Sequence, residues 1–249
     1  MLREERLQII LKMLETNQRV SSVELSEILN VSDDTIRRDL NELAENGLLK
    51  KVHGGAVPRS AHPYKLKERI KVAHEEKMVL AQKTQAYFHD GQVILLDNGS
   101  TNMEVARMMS PDLKATVFTT SLQIAQILCE HPSIQLFFLG GKVFKDAQNT
   151  YGAEVIEMLQ KIRADICILG VCGIHHDIGV TIQDWGENQV KRKMVDISQK
   201  VVALVTASKV NTAESYVVCT LDDLDVMLTD DCIDEALLKD YQKHDIVIQ

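Results

Sequence analysis

The sequence predicts an α/β protein: an N-terminal winged helix-turn-helix domain joined to a C-terminal, mostly parallel α/β sheet domain. Three observations carry this. Residues 3–45 hold apolar side chains at helical spacing in three short blocks, followed by a basic stretch closed by a Gly pair. From residue 92 the pattern changes to short, consecutive runs of Val, Ile and Leu separated by helical stretches. No run approaches the length needed to span a bilayer.

Arg3 to Thr16 carries Leu7, Ile10, Leu11 and Leu14 at helical spacing. Asn17-Gln18-Arg19-Val20 breaks it, and Ser21 or Ser22 can cap a second helix with Val23, Leu25, Ile28 and Leu29 as its apolar set. Asn30-Val31-Ser32 is the turn into a third helix. At about 100° per residue Ile36, Leu40 and Leu43 share one face, while Asp34, Arg38, Asn41 and Glu45 face away, with Thr35 and Arg37 on the flanks. Gly47 ends this helix, and Leu48 to Gly55 (LLKKVHGG) reads as a basic hairpin. Such a helix suits a DNA major groove. Arg bonds guanine edges or phosphates, Asn bonds adenine, and the hairpin grips the adjacent backbone. The candidate DNA contacts are Ser32, Thr35, Arg37, Arg38, Asn41, Lys50, Lys51, His53 and Gly54. Taken alone, Arg37-Arg38 would favour a solvated face of a helical dimerisation module; the helix-turn-helix-hairpin order reverses that preference.

Domain boundaries follow from the same pattern: 1–57 for the reading domain, a linker over 58–73 marked by Pro58 and Pro63, and 74–249 for the sheet domain. Lys65 to Phe88 is a charged helical pattern with a break near Val72-Ala73. Strands are predicted at 93–96, 116–118, 134–138, 166–169, 201–205, 224–228 and 246–248. Strands apolar on both faces and alternating with helices imply a parallel sheet covered on both sides.

The chain has 249 residues, 45% hydrophobic with 4% aromatic, which suits an aliphatic α/β core. The charged N-terminus gives no sign of a signal peptide, and a cytoplasmic protein without membrane contact is expected. Cys129, Cys167, Cys172, Cys219 and Cys232 form no CxxC pair; buried, reduced thiols are the expectation. The net charge of −8 argues mildly against nucleic acid. Residues 1–60 contain nine Lys/Arg and ten Asp/Glu, but Lys50, Lys51 and Arg59 fall in a stretch from 46 to 60 without an acid. A local patch of this kind supports a few phosphate contacts, with salt-sensitive affinity that a dimer or tetramer would strengthen.

In a parallel sheet, ligands collect at the carboxyl ends of strands, where loops lead into helix N-termini. Asp97-Asn98-Gly99-Ser100-Thr101, Thr119-Thr120-Ser121 and Gly140-Gly141-Lys142 follow the first three strands, and Lys209 follows the strand at 201–205. Gly backbones, hydroxyls, free helix N–H groups and an ammonium suit a phosphate. Each piece alone also reads as an ordinary turn or helix cap. Glu187 and Lys191 stand four apart on a helix, where a surface ion pair is as good a reading as a ligand contact.

Ser32 to Leu40 (SDDTIRRDL), then Gly47-Leu48-Leu49 and Val52-His53-Gly54-Gly55-Ala56, resemble the signature of the DeoR family of bacterial transcriptional regulators. The resemblance extends over almost the whole chain, through Asp97 to Thr101, Thr119 to Leu122, Leu139 to Gly141, Leu169 to Ile174, Glu187 to Arg192, and Ser208-Lys209. It implies a sensor domain similar to sugar-phosphate isomerase and CoA-transferase folds, with Gly173, Glu187 and Lys191 added to the ligand-binding candidates. It also implies an oligomeric repressor of carbohydrate-catabolism genes, released from operator DNA by a phosphorylated sugar, with no cofactor. Thr206 departs from the family pattern, in which many members carry Asp before the Ser-Lys pair.

An alternative function is a sugar-phosphate isomerase or hydrolase with an accessory helical domain, for which Asp97, Glu187 and Lys209 are the acid and base candidates. No GxGxxG follows a strand, which argues against a dinucleotide enzyme. His175-His176-Asp177 lacks the spacing of a known metal site and is expected to be a solvated loop. For Trp185 both a pocket-lining and a packing role stay open.

Overall fold

The computed structural model describes residues 1–17, 19–52, 54–59 and 65–249, with the backbone alone at Glu235. The head comprises α1 (Arg3–Asn17), β1 (Val20–Ser21), α2 (Ser22–Leu29), α3 (Asp33–Glu45), β2 (Lys50–Val52) and β3 (Gly55–Val57). The β2–β3 hairpin is the expected wing, and β1 pairs with β3 to complete a three-stranded sheet. Ile36, Leu40 and Leu43 enter one core with Ile10, Leu14, Leu25 and Leu49. Each such side chain contributes roughly 1.5–3 kcal/mol on burial, enough to fix α3 with its polar face outward.

Both ends of α3 are set locally. The Ser32 hydroxyl accepts from the Thr35 N–H at 3.3 Å. At the other end Gly47 N–H donates to Ala44 O (3.0 Å) and Leu48 N–H to Leu43 O (2.9 Å), a Schellman arrangement that needs the φ of +73° Gly47 adopts. Gly55 is fixed by close approach, since a Cβ there would lie 1.9 Å from Val20 O.

α2 corrects the sequence reading. Its buried stripe is Ser22, Leu25 and Leu29, while Val23 and Ile28 are 63% and 61% exposed. Each of those two lies about 100° around the helix from a buried neighbour, off the narrow face that meets the head core. A second feature escaped the periodicity altogether. Arg6 and Asp39 are both enclosed, and Arg6 donates from Nε and Nη2 to the Asp39 carboxylate at 2.5 and 3.1 Å, clamping α1 to α3.

α4 (Leu66–Arg69) and α5 (His74–Thr84) divide the long charged pattern, with Ala73 at φ +53° between them and a 3₁₀ turn at Gln85–Tyr87 after them. α4 falls within the stretch expected as linker, yet Leu66 is buried in the sensor core and its N–H donates to Asp146 O at 2.9 Å. The sensor then runs β4 (Val93–Leu96), α6 (Ser100–Met108), β5 (Thr116–Thr119), α7 (Leu122–Leu128), β6 (Gln135–Phe138), β7 (Lys142–Phe144), β8 (Asn149–Tyr151) and α8 (Ala153–Leu159). It continues with β9 (Ile166–Gly170), β10 (Gly173–His175), β11 (Gly179–Ile182), α9 (Trp185–Asp196), β12 (Val201–Val205), β13 (Tyr216–Cys219), β14 (Val226–Thr229), α10 (Glu235–Leu238) and β15 (Val247–Ile248).

Seven strands form one parallel sheet in the order β15-β14-β12-β9-β4-β5-β6. Side chains alternate between its faces: Ile94, Leu96, Ile166, Ile168, Val202 and Leu204 point to one core, and Leu95, Cys167, Leu169, Ala203 and Val205 to the other. The second face is covered partly by a feature the sequence did not announce, an antiparallel sheet of β10, β11 and β13. The edge strand β6 is less covered than expected, with Phe137 and Phe138 both partly exposed. Cys167 and Cys219 are buried, but Cys129 and Cys232 lie at the surface, which corrects the expectation for those two thiols; all five are unbridged.

Replacing Asp39 by Ala leaves the Arg6 guanidinium enclosed without its carboxylate. Urea denaturation is expected to show the head destabilised by roughly 3 kcal/mol.

Candidate functional site

The outer face of α3 presents Arg37 and Arg38 to solvent, each in an i, i+4 pair with Asp33 (2.9 Å) and Asp34 (2.6 Å). Exposed pairs of this kind are weak, so both guanidinium groups can exchange a carboxylate for phosphate or a base edge at little cost. Lys51 of the wing donates to Asn41 Oδ1 of α3 at 2.5 Å, so hairpin and helix present one surface. A cleft between them is lined by Asp33, Arg37, Lys51, Val52 and Gly54. Ser32 and Thr35 sit at the start of α3 with their hydroxyls 2.9 Å apart, Lys50 is half-buried in β2, and Gly54 turns the wing at φ +78°. His53 lies outside the described residues.

The second site lies in the sensor sheet. β4 is followed by β5 and β6 on one side, while β9, β12, β14 and β15 build out on the other, so the chain direction across the sheet switches between β4 and β9. A crevice at the carboxyl ends of those two strands is the natural ligand site of such a sheet. Here it is a narrow, polar pocket lined by Arg69, Asn98, Gly99, Ser100, Thr101, Asn102, Gly170, Val171, Cys172, Ile182, Glu187, Lys191 and Lys209.

Its back wall is a buried network. Lys191 donates to the Asp97 carboxylate and, at 2.9 Å, to Gly170 O; Gly170 N–H donates to Asp97 Oδ2 at 2.8 Å. Burial alone would lower Lys191, but Asp97 and the neighbouring Cys172 and Glu187 hold it above its ordinary value. Glu187 accepts from the side-chain amides of Asn98 (2.6 Å) and Asn149 (2.7 Å), and burial raises its carboxyl. Of the two readings the spacing left open, the Glu187–Lys191 surface pair is not formed: each is enclosed and turned to a different partner. Asp184 starts α9 by accepting from Glu187 N–H at 2.9 Å.

The front of the pocket is a cradle with open valences. Gly99, at φ +134°, begins α6 without a side-chain cap, and neither the Ser100 nor the Thr101 hydroxyl has a hydrogen bond among the described residues. Asn102 spends its amide on Asp97 O and Ile168 O, leaving its buried Oδ1 unpaired. Arg69, reaching in from α4, is 8% exposed and its Nε has no partner. Lys209 is 3% exposed with no hydrogen bond or ion pair from its ammonium among the described residues. Burial, together with the nearby Lys77, Arg69 and Lys191, pushes Lys209 down to about 8.

The structure thus gathers Gly99, Ser100, Thr101, Glu187, Lys191 and Lys209 around one cavity, with Asp97 directly behind. It adds Arg69 and Asn102, which the sequence reading left out, and Asn98, which that reading named only as part of the strand-end segment. Arg69 had no legible signal, because it lies in a charged run whose position over the sheet is a tertiary matter. Thr119, Thr120, Ser121, Gly140, Gly141, Lys142 and Gly173 do not line this cavity. Ser121 accepts from Ile124 N–H as the cap of α7, and Thr120 O accepts from Thr150 N–H. Gly141 and Gly173 allow close packing, since a Cβ would meet Tyr151 O at 2.8 Å in the first case and the Thr212 hydroxyl at 2.8 Å in the second. Gly140 has open space where a Cβ would be, and Lys142 lies over the Tyr151 ring. Thr206 is buried with its hydroxyl 3.4 Å from that of Ser208 and does not line this cavity.

The expectation of a solvated loop holds for the turn at His176-Asp177, where Asp177 is exposed, and is corrected at His175. His175 closes β10 and is 2% exposed, and burial followed by the neighbouring His176 lowers it to about 4. The three side chains bring ligand-type atoms within 4.8 Å of one another. Asp177 N–H donates to His175 Nδ1 at 3.1 Å, which places the ring hydrogen on Nε2 and leaves no lone pair for a metal in that tautomer. Trp185 is 58% exposed against Tyr216 and lies outside the pocket lining.

A DNA-reading head joined to a sheet domain with a polar pocket at its switch point defines a two-domain transcriptional regulator. Residues 6–61 match the DeoR-like helix-turn-helix domain and residues 72–231 the DeoR C terminal sensor domain, so the chain belongs to the DeoR family. It is 33% identical over 232 residues to the HTH-type transcriptional repressor GlcR of Bacillus subtilis (strain 168), covering 92% of this chain and 89% of that protein. It is 32% identical over 240 residues to the HTH-type transcriptional regulator GolR of Listeria innocua, covering 96% and 94%. The glycerol-3-phosphate regulon repressor of Escherichia coli (strain K12) is 29% identical over 222 residues, covering 89% and 88%. Ribose 5-phosphate isomerase A from Methanocaldococcus jannaschii superposes with a TM-score of 0.41 at 18% identity, over 55% of this chain and 54% of its own. Among the described residues no helix is long and apolar enough to cross a membrane.

Arg38→Ala removes one exposed cation and no packing. Affinity for DNA from upstream of its own gene, in a gel-shift titration at fixed salt, is expected to fall about tenfold or more, while thermal unfolding stays within error of the parent.

Proposed function

We propose that this regulator represses carbohydrate-catabolism genes and is released from operator DNA by a phosphorylated sugar held in the switch-point pocket. One observation carries the reading: Arg69 and Asn102 line the same cavity, and each holds a buried polar atom, Nε and Oδ1, without a partner among the described residues. A guanidinium N–H calls for an acceptor, best an anion, and an amide oxygen calls for a donor. A molecule with a phosphate and free hydroxyls supplies both.

The phosphate fits at the start of α6, where Ser100, Thr101 and the free N–H groups of the first turn add to Arg69 and Lys209. Sugar hydroxyls then meet Asn102 and Glu187. The relatives support the same class, since one is a glycerol-3-phosphate regulon repressor. A homo-oligomer bound to a repeated operator would compensate for the modest positive charge of one head.

The isomerase or hydrolase alternative is weaker. Asp97 is committed to Lys191 and Gly170, and Glu187 to two amides, which leaves Lys209 without an acid or base partner at one carbon.

The deciding measurement titrates the purified protein against its upstream DNA with glycerol 3-phosphate, ribose 5-phosphate, glucose 6-phosphate and fructose 6-phosphate. One of them is expected to weaken binding about tenfold or more. Indifference of tight DNA binding to every phosphate would overturn the effector reading, and turnover of a sugar phosphate would restore the enzyme.

Lys209 gives a pH prediction. In the free pocket it titrates near 8, and a bound anion favours its charged form. Affinity for inorganic phosphate should therefore be highest below pH 8 and fall as pH rises from 8 to 10. Calorimetry of Lys209→Arg, whose charge persists, should lack that fall over the same range.

A further inference from the structure

We propose that the Arg59–Glu214 ion pair is the contact through which pocket occupancy sets the position of the recognition helix; this rests on the pocket reading above.

Arg59 leaves the head two residues after β3, and its Nη2 donates to Glu214 Oε2 at 3.1 Å. The Glu214 side chain is fully enclosed, whereas Arg59 is partly exposed. A second carboxylate oxygen, Oε1, accepts from Gln183 Nε2 at 3.0 Å. One buried carboxylate thus joins one group from the sensor and one from the head. The backbone reinforces it, with Ala213 N–H donating to Pro58 O at 3.2 Å and Glu214 N–H to the Thr181 hydroxyl at 2.9 Å.

Each end of the pair leads to a functional element. On the head side, Arg59 Nη1 lies against Gly47, where a Cβ would be only 3.2 Å from it. Gly47 terminates α3, and a cation at a helix C-terminus is favoured by the carbonyls there. On the sensor side, Gln183 stands between Ile182, which lines the pocket, and Asp184, which caps the helix that carries Glu187 and Lys191 into it. A shift of the β11–α9 corner on filling the pocket moves Gln183, and with it the carboxylate. An enclosed carboxylate does not tolerate loss of its cation, so Arg59 either follows or the pair breaks and the head is released. Among the described residues the other ion pair between head and sensor, Arg19 to Asp177 at 3.0 Å, is about half exposed on both sides and is screened by solvent.

Hydrogen–deuterium exchange of the full chain, with and without saturating inorganic phosphate, tests this in the parent, Arg59→Gln, Glu214→Gln and Arg59→Lys proteins. In the parent, phosphate should slow exchange at 97–102 and also change exchange in α3, by roughly fivefold or more. Arg59→Gln and Glu214→Gln should keep the first effect and lose the second, and Arg59→Lys should retain both. Arg59→Gln alters only a partly exposed head residue, so the outcome is readable even if Glu214→Gln misfolds. Pocket protection with an unchanged head response in Arg59→Gln overturns the coupling. No protection at 97–102 in the parent overturns the pocket reading, and the coupling with it.

Discussion

Lys191 is the constraint on which the sensor depends. Its ammonium is enclosed at the crevice between two neighbouring strands, bound to the Asp97 carboxylate after β4 and to the Gly170 carbonyl that ends β9. A charge in that position would be costly without both partners. Satisfied, it ties α9 to the two strands whose separation is the ligand crevice, and it places Glu187 one helical turn away on the same wall. With the back of the pocket neutralised in this way, the unpaired cations Arg69 and Lys209 are left at the front, which is why the cavity has a net appetite for an anion although the chain carries a net charge of −8.

The same separation between global and local charge governs the head. Several of its acids pair with neighbouring cations: Asp39 with Arg6 inside, Asp33 and Asp34 with Arg37 and Arg38 outside. The inner pair is structural because both side chains are almost wholly enclosed. The outer pairs cost little to break, so the cations of α3 are available to a polyanion. One residue type therefore serves opposite purposes, and burial decides which.

Head and sensor meet through few but specific polar contacts. α4 supplies Arg69 to the pocket and Leu66 to the sensor core, so the segment entering the sensor belongs to it physically. Regulation in a protein of this design needs only a small movement at the pocket, since packed elements switch between discrete arrangements and do not stretch.

The sequence by itself determined what local rules can determine. Ile36, Leu40 and Leu43 fix the face of α3, Ser32 and Gly47 fix its ends, and the seven apolar runs fix the parallel strands within a residue or two, because each depends on periodicity or on backbone conformation a few residues long. The strand-end residues Gly99, Ser100 and Thr101 were legible for the same reason, as a Gly turn opening a helix. Only the tertiary structure decided what depends on distant segments meeting. Nothing near Arg6 shows that Asp39 will bury beside it, nothing near Arg69 shows that a cavity opens under it, and the i, i+4 spacing of Glu187 and Lys191 suggested a mutual pair that burial redirected to Asn98, Asn149 and Asp97. The hairpin strands β10 and β11 are only three and four residues long, too short for a period to show, and β13 joins them from far along the chain. Desolvation is the physical reason: it acts on a side chain only after the fold has enclosed it, and it then outweighs the local preferences a sequence displays.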